Sequence, residues 1–301
     1  MATTTITAVG ERFYQTVEET SRELYIKALK EMPPDIREGL ARAFGRESHE
    51  TGKGVLGTIL DNIQVADDRK MLVCQDTGIP VFFVTIGTGV HVDGARIERG
   101  IRRGCERATR EHPFRSSIVS PLSRKNAQTS TGYRVPVIHW EFAAGADYVE
   151  LLHVPKGSGS ENQSFMKMLV PADGVGGIKR FVLDCVFGAG GQPCPPIIVG
   201  VGVGGSADLV TTLAKKAISR PLGSKNPDPE VAGLEDELLD LVNETGIGPM
   251  GLGGVSTALA VQVEHAATHI TMNPVAVNIQ CWAARRARAT LWADGRVEVG
   301  F

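Results

Sequence analysis

The run Ile197-Ile198-Val199-Gly200-Val201-Gly202-Val203 limits what this chain can become more than any other segment. It is apolar without polar alternation, rich in β-branched residues, and followed by Gly204-Gly205-Ser206. That is the pattern of a short strand covered on both faces and feeding a helix, here expected over 206–218 with Ser206 as its N-cap. Even extended back to Pro195, the stretch is far shorter than the about 20 residues of a membrane-spanning helix. Strand-like runs recur at 80–86, 135–142, 148–153 and 276–279. Helical patterns fall between them at 95–111, 178–187, 230–243 and 257–267. Residues 9–66 read as helical throughout, with a break at Pro33-Pro34. The fold class expected is α/β (mixed α+β). A helical amino-terminal region, about 1–66, is followed by interleaved strands and helices, all in one domain over 1–301.

A chain of 301 residues, 42% of them hydrophobic, can bury a substantial core. Its net charge of −2 and the lack of a basic stripe leave no footprint for nucleic acid. Met1 to Thr5 carry no apolar leader, so the expected location is cytoplasmic, with no membrane association. The 5 cysteines are odd in number and form no CxxC pair, which argues against a disulfide framework.

Three of those cysteines share a setting. Cys74 opens a Gln-Asp-Thr-Gly turn, Cys194 lies between prolines after Gly188-Ala189-Gly190-Gly191, and Cys281 follows a short strand. Cys105 and Cys185 fall inside helical patterns. Plain burial, a zinc site completed by a histidine, and an iron–sulfur site all fit three loop thiols. Three thiolates can hold three irons of a [4Fe–4S] cube, leaving the fourth open to substrate oxygen. His265 and His269, four residues apart, would share a helical face. They suit either hydrogen bonding in a core or contact with a carboxylate. Arg115 and Arg124 flank a Ser-rich loop, where a guanidinium could pair with a dicarboxylate. Gly200-Val201-Gly202-Val203-Gly204-Gly205 satisfies G-x-G-x-x-G, but no acid for a ribose follows about 20 residues on. The polar connection at 220–229 is expected to end the βαβ unit. A glycine turn that packs strand against helix, with an anion-facing helix start, is the reading preferred over NAD binding.

Six motifs in order carry a resemblance over nearly the whole chain. They are Cys74-Gln75-Asp76-Thr77-Gly78, Arg115-Ser116-Ser117, Lys156 through Asn162, Gly191 through Pro196, Gly246 through Gly251, and Pro274 through Ala283. With these the sequence resembles the class I (iron–sulfur) fumarate hydratase family, in its amino-terminal or α part. The resemblance implies that Cys74, Cys194 and Cys281 hold a [4Fe–4S] cluster and that Cys105 and Cys185 are structural. It implies that Gln75, Asp76, Arg115, Gly157, Ser158, Gly159 and His269 line the substrate site, with Asp76 and His269 closest to catalysis. Ser158 stands where the family pattern leads one to expect glycine. The catalytic base and further cationic residues belong, in this family, to a carboxy-terminal part beyond what is present before Phe301. A separate β chain is therefore expected, in an α2β2 or similar hetero-oligomer acting on a small dicarboxylate. The implied reaction is reversible hydration of fumarate to (S)-malate, as in the tricarboxylic acid cycle. L-tartrate dehydratase or mesaconate hydratase α subunits are the near alternatives. A non-catalytic iron–sulfur or zinc sensor is the alternative of another class.

Overall fold

The computed structural model describes residues 7–301, so the leaderless reading of Met1 to Thr5 lies outside the described residues. The helices are α1 (Glu11–Lys30), α2 (Pro34–Arg46), α3 (Glu50–Arg69), α4 (Gly94–Glu111), α5 (Ser158–Glu161), α6 (Gly174–Ala189), α7 (Ala207–Ala217) and α8 (Pro229–Glu244). The strands are β1 (Thr7–Ala8), β2 (Ile79–Gly87), β3 (Val90–His91), β4 (Val137–Ala143), β5 (Tyr148–Lys156), β6 (Ser164–Leu169), β7 (Ile197–Gly204), β8 (Ala258–Ala266), β9 (Asn273–Gln280), β10 (Ala287–Trp292) and β11 (Val297–Gly300). The chain is thus α/β with helices at its amino-terminal end, as the residue patterns lead one to expect. It divides into two units. One contains the described residues up to 33 together with 66–156 and 285–301, and the other contains 34–65 and 157–284.

In the first unit five strands run in the order β11-β10-β5-β2-β4. The apolar run of β2 is flanked on both sides, by β4 in parallel and by β5 in antiparallel register. Its Phe82 and Val84 join Leu24, Tyr25, Ile97, Ile101, Leu151 and Leu291 in one core. Each such large side chain contributes about 1.5–3 kcal/mol by leaving water. The arginines of α4 serve structure, since Arg107 pairs with Glu18 and Glu19 of α1, and Arg22 of α1 pairs with Glu111.

The second unit has four strands, in the order β6-β9-β7-β8. Strand β7 lies between β9, antiparallel, and β8, parallel. The glycines of its G-x-G-x-x-G run have a packing role. A Cβ on Gly200 or Gly202 would collide with the carbonyls of Ala214 and Val210 in α7. Helix α7 starts one residue after Ser206, whose hydroxyl donates to Asp208 instead of capping a helix amide. The Asp208 carboxylate thereby supplies the negative charge at that helix start.

Two expectations fail in this unit. Residues 257–267 are not helical: Ala258–Ala266 is strand β8. Its opening Ala258-Leu259-Ala260-Val261 shows no alternation and fits either state until pairing with β7 decides. The βαβ unit also does not stop at the polar connection, because β7 and β8 are parallel neighbours joined through α7 and α8. Internal bonds hold the connection in place. Arg220 Nη1 donates to Glu235 Oε1 at 2.7 Å, and Asn226 Nδ2 donates to the Val263 carbonyl at 2.9 Å. Strands β6, β10 and β11 go beyond the segments legible as strands. Among the described residues no helix is long and apolar enough to cross a membrane.

Candidate active site

In the second unit, strand β9 delivers two amide side chains to one face by the period of two. Asn278 (4% exposed) and Gln280 (2% exposed) both meet the short turn around α5. Asn278 Nδ2 donates to Ser164 Oγ at 2.7 Å and to Glu161 Oε2 at 3.3 Å. Lys215 also binds the Glu161 carboxylate, and burial outweighs that partner to lower the lysine pKa. The Ser160 hydroxyl donates to Gln280 Oε1 at 3.4 Å, one residue before Cys281. Gln163 Nε2 donates to Gln192 Oε1 at 3.0 Å, two residues before Cys194. Ser160, whose hydroxyl also meets the Gly157 carbonyl, and Gln163 therefore tie the turn after Gly157–Gly159 to both cysteine-bearing segments of this unit.

Those two loops are tied to each other. The Trp282 amide donates to the Cys194 carbonyl at 3.1 Å, and the Cys194 amide donates to the Gly191 carbonyl at 3.1 Å. Cys194 has left-handed backbone (φ 57°), a conformation costing about 1–3 kcal/mol for a non-glycine residue and concentrated at functional sites. Met250, also left-handed at φ 53°, donates its amide to the Pro195 carbonyl at 2.8 Å. Beside it Gly191 and Gly251 touch backbone to backbone, so a Cβ on Gly251 would lie 2.6 Å from Gly191 Cα.

His269 is exposed on the loop after β8, and His265 is exposed near the end of β8 itself. They do not share a helical face, because the helix expected there is a strand. The Thr271 amide donates to His269 Nδ1 at 3.3 Å, and Thr271 Oγ1 lies 2.9 Å from the same nitrogen. With Nδ1 accepting, the neutral ring carries its proton on Nε2.

In the first unit, Cys74 and Asp76 are half-buried and Gln75 is exposed. Asp76 Oδ1 accepts from the Gly78 amide at 2.9 Å, closing the turn. Thr77 is fully buried, and its hydroxyl donates to the Arg115 carbonyl, fixing the backbone from which the exposed Arg115 side chain projects. Arg124 is exposed on a separate left-handed turn of the same Ser-rich loop. Behind Thr77 lie Tyr25, Ser130 and Arg285, with Arg285 only 2% exposed. Burial holds the Tyr25 hydroxyl far above its usual range and holds His153 down at about 3.

None of the five cysteines forms a disulfide. Cys105 and Cys185 lie in the two cores, and burial raises both thiols, Cys185 to about 12. Cys74, Cys194 and Cys281 are all half-exposed on loops. Among the described residues no three His, Cys, Asp or Glu side chains stand together as a ready-made metal cage. The donor chemistry still suits an iron–sulfur group, since three accessible thiols sit on backbone-fixed loops while the two remaining cysteines are inert.

Residues 18–290 match the fumarate hydratase (Fumerase) family. The chain belongs to that family. Like other members of the fumarate hydratase family, it is a hydro-lyase. A Methanocaldococcus jannaschii protein provisionally named L(+)-tartrate dehydratase subunit alpha is 44% identical over 277 residues, covering 91% of this chain and 97% of that protein. The L(+)-tartrate dehydratase subunit alpha of Escherichia coli (strain K12) is 35% identical over 263 residues, covering 87% of this chain and 86% of its own length. For this member of the fumarate hydratase family, residue patterns missed Gln163, Gln192, Lys215 and Glu47. Gln192, two residues before Cys194, and Gln280, directly before Cys281, were a usable signal, because polar residues flanking a ligand commonly orient it.

Proposed function

We propose that this chain is the α subunit of a hydro-lyase, carries a [4Fe–4S] cluster on Cys74, Cys194 and Cys281, and acts with a separate β subunit. The observation that carries this reading is the hydrogen-bonded linkage of Ser160 and Gln163, in the turn that follows Gly157–Gly159, to the residues just before Cys281 and Cys194. It couples a backbone suited to binding a substrate carboxylate to two of the thiols that would hold the cluster. When bound, such a cluster supplies Lewis acidity toward a substrate hydroxyl.

The chain's own residues bind and orient. His269, protonated on Nε2, donates to one carboxylate of the dicarboxylate substrate, and Gln75 and Arg115 engage the other polar groups. Held in this way, the substrate loses its freedom to tumble before reaction, which is the main catalytic contribution of positioning groups. Asp76 keeps Oδ1 on the Gly78 amide, and its carboxylate relays a proton with the base supplied by the β subunit. The overall reaction adds water across the double bond of fumarate to give (S)-malate, reversibly.

L(+)-tartrate as substrate is a second reading, favoured by the names of the two relatives at 44% and 35% identity. The test is anaerobic co-expression with a β chain, followed by iron and sulfide analysis and turnover of malate, L(+)-tartrate and mesaconate. The expected result is brown protein with about four irons per chain, active only as the pair. Colourless protein after anaerobic reconstitution, or a pair inactive on all three acids, would overturn the proposal.

A further inference from the structure

Glu47 follows the last residue of α2, is only 3% exposed, and has no role in the reaction outlined above. Among the described residues no ion pair with it is formed; instead it is ringed by backbone amides. Its Oε1 accepts from the His49 amide at 3.0 Å. Both oxygens accept from the Val255 amide at 3.1 Å, and Oε2 accepts from the Ser256 amide at 3.0 Å. Gly254 (φ 140°) passes so close that a Cβ there would lie 2.8 Å from Oε2. The segment gripped in this way continues directly into the turn of residues 248–253, where the Gly253 amide donates to the Ile247 carbonyl at 2.9 Å. From that turn Met250 donates to the Pro195 carbonyl, and Gly251 abuts Gly191 on the other side of Cys194.

We propose that Glu47 is a positioning residue for Cys194, acting through the 248–256 loop to hold that thiol in its left-handed presentation. The inference rests on the reading of Cys194 as a cluster ligand, and it adds a buried anion as the part that sets the ligand's geometry. Removing the charge leaves a carboxamide NH2 facing amide hydrogens that now lack an acceptor. The loop then loosens, and Cys194 with it, while Cys281, one residue beyond the end of strand β9, is held by that strand and moves less.

The test uses the full chain in two arms. In the first, the cluster-free protein is treated with iodoacetamide under native conditions, and alkylation of each cysteine is followed by mass spectrometry. Glu47→Gln is expected to speed alkylation of Cys194 about tenfold, the scale of one lost charged hydrogen bond, with a clearly smaller change at Cys281. In the second, anaerobically reconstituted protein is challenged with a ferrous chelator. Glu47→Gln is expected to lose iron about tenfold faster and to shift the EPR signal of the reduced cluster, while Glu47→Asp, which keeps the charge, recovers most of the difference. A parallel Glu235→Gln variant, which removes a buried carboxylate away from the cysteine loops, is expected to change neither readout. If Glu47→Gln fails to fold, Gly254→Ala, which presses a methyl group against the same carboxylate, is read in its place. Unchanged Cys194 alkylation and iron loss in the variant would overturn the positioning role. A wild type that takes up no cluster would remove the ligand reading, and the alkylation arm would still decide whether Glu47 governs the Cys194 loop.

Discussion

The two units present their cysteines on opposite kinds of buried electrostatics. In the first, Thr77 of the turn bearing Cys74 lies by Tyr25, which packs on His153, kept neutral by burial, and faces Arg285, which is almost wholly enclosed. In the second, the 248–256 loop that braces Cys194 is held by an acid. Glu47 accepts from the amides of Val255 and Ser256, whereas the other buried acid, Glu235, is paired with Arg220 away from the cysteine loops. A buried carboxylate without a cation must gather amide hydrogens, and gathering them fixes loop backbone. A buried neutral imidazole needs far less, and His153 is served by the Val81 carbonyl at 3.1 Å. The second unit therefore uses charge to set the shape of its loops. The first relies on side-chain hydrogen bonds, such as that of Thr77 to the Arg115 carbonyl.

The largest effect expected is on metal content. Cys194→Ser, Cys281→Ser or Cys74→Ser should abolish cluster retention and activity, measured as iron and sulfide per chain after anaerobic reconstitution. Cys185→Ser should keep its iron and lose only about 1–3 kcal/mol of stability, because it places a hydroxyl in an apolar core. Equal iron loss in Cys185→Ser would break the division between loop and core cysteines.

Acidification separates the two units next. The unfolded chain protonates His153 near its ordinary 6.5, whereas the folded chain resists until about 3. Stability from its neutral form is complete above 6.5 and is lost as pH falls toward 3. For Glu47, burial alone would raise the pKa, but the amides of His49, Val255 and Ser256 outweigh it and hold the carboxyl below its ordinary 4.5. Its contribution is present above 4.5 and is lost only as pH falls through that lower folded value. Thermal melting of the cluster-free chain against pH should therefore flatten between 6.5 and 4.5 in His153→Gln and only below 4.5 in Glu47→Gln. The same window for both would erase the contrast.

Backbone crowding comes third. Gly251→Ala sets a methyl group against Gly191, and Gly78→Ala sets one 2.7 Å from the Lys156 carbonyl, both at positive φ. Each should cost about 1–3 kcal/mol in urea unfolding. The smallest change is Thr77→Val, which removes one buried hydrogen bond of the first unit and should cost about 1 kcal/mol by the same measurement.

Much of the fold was legible from pattern. The breaks at Pro33-Pro34, the amphipathic α4 and the apolar runs of β2 and β7 fall where spacing and propensity put them. Strand β8 was misread because its opening Ala258–Val261 run has no alternation and its residues fit a helix as well as a strand. Strand β6 was missed because an edge strand carrying exposed Met166 and Met168 has little apolar periodicity to display. In the site, the loop setting of Cys74, Cys194 and Cys281, and the helical setting of Cys105 and Cys185, were readable because turn residues declare themselves locally.

By itself the sequence determined the α/β class, the order of its glycine- and proline-bearing turns, and which thiols sit on them, since these depend on neighbours a few residues away. Only the tertiary structure decided that Glu47 closes on amides about 200 positions later, that Ser160 and Gln163 reach Gln280 and Gln192, and that His265 and His269 part company. Those contacts join residues far apart in the chain, and desolvation is what makes each of them matter. A carboxylate or amide excluded from water must find its partner wherever the fold brings one, and no local pattern encodes where that will be.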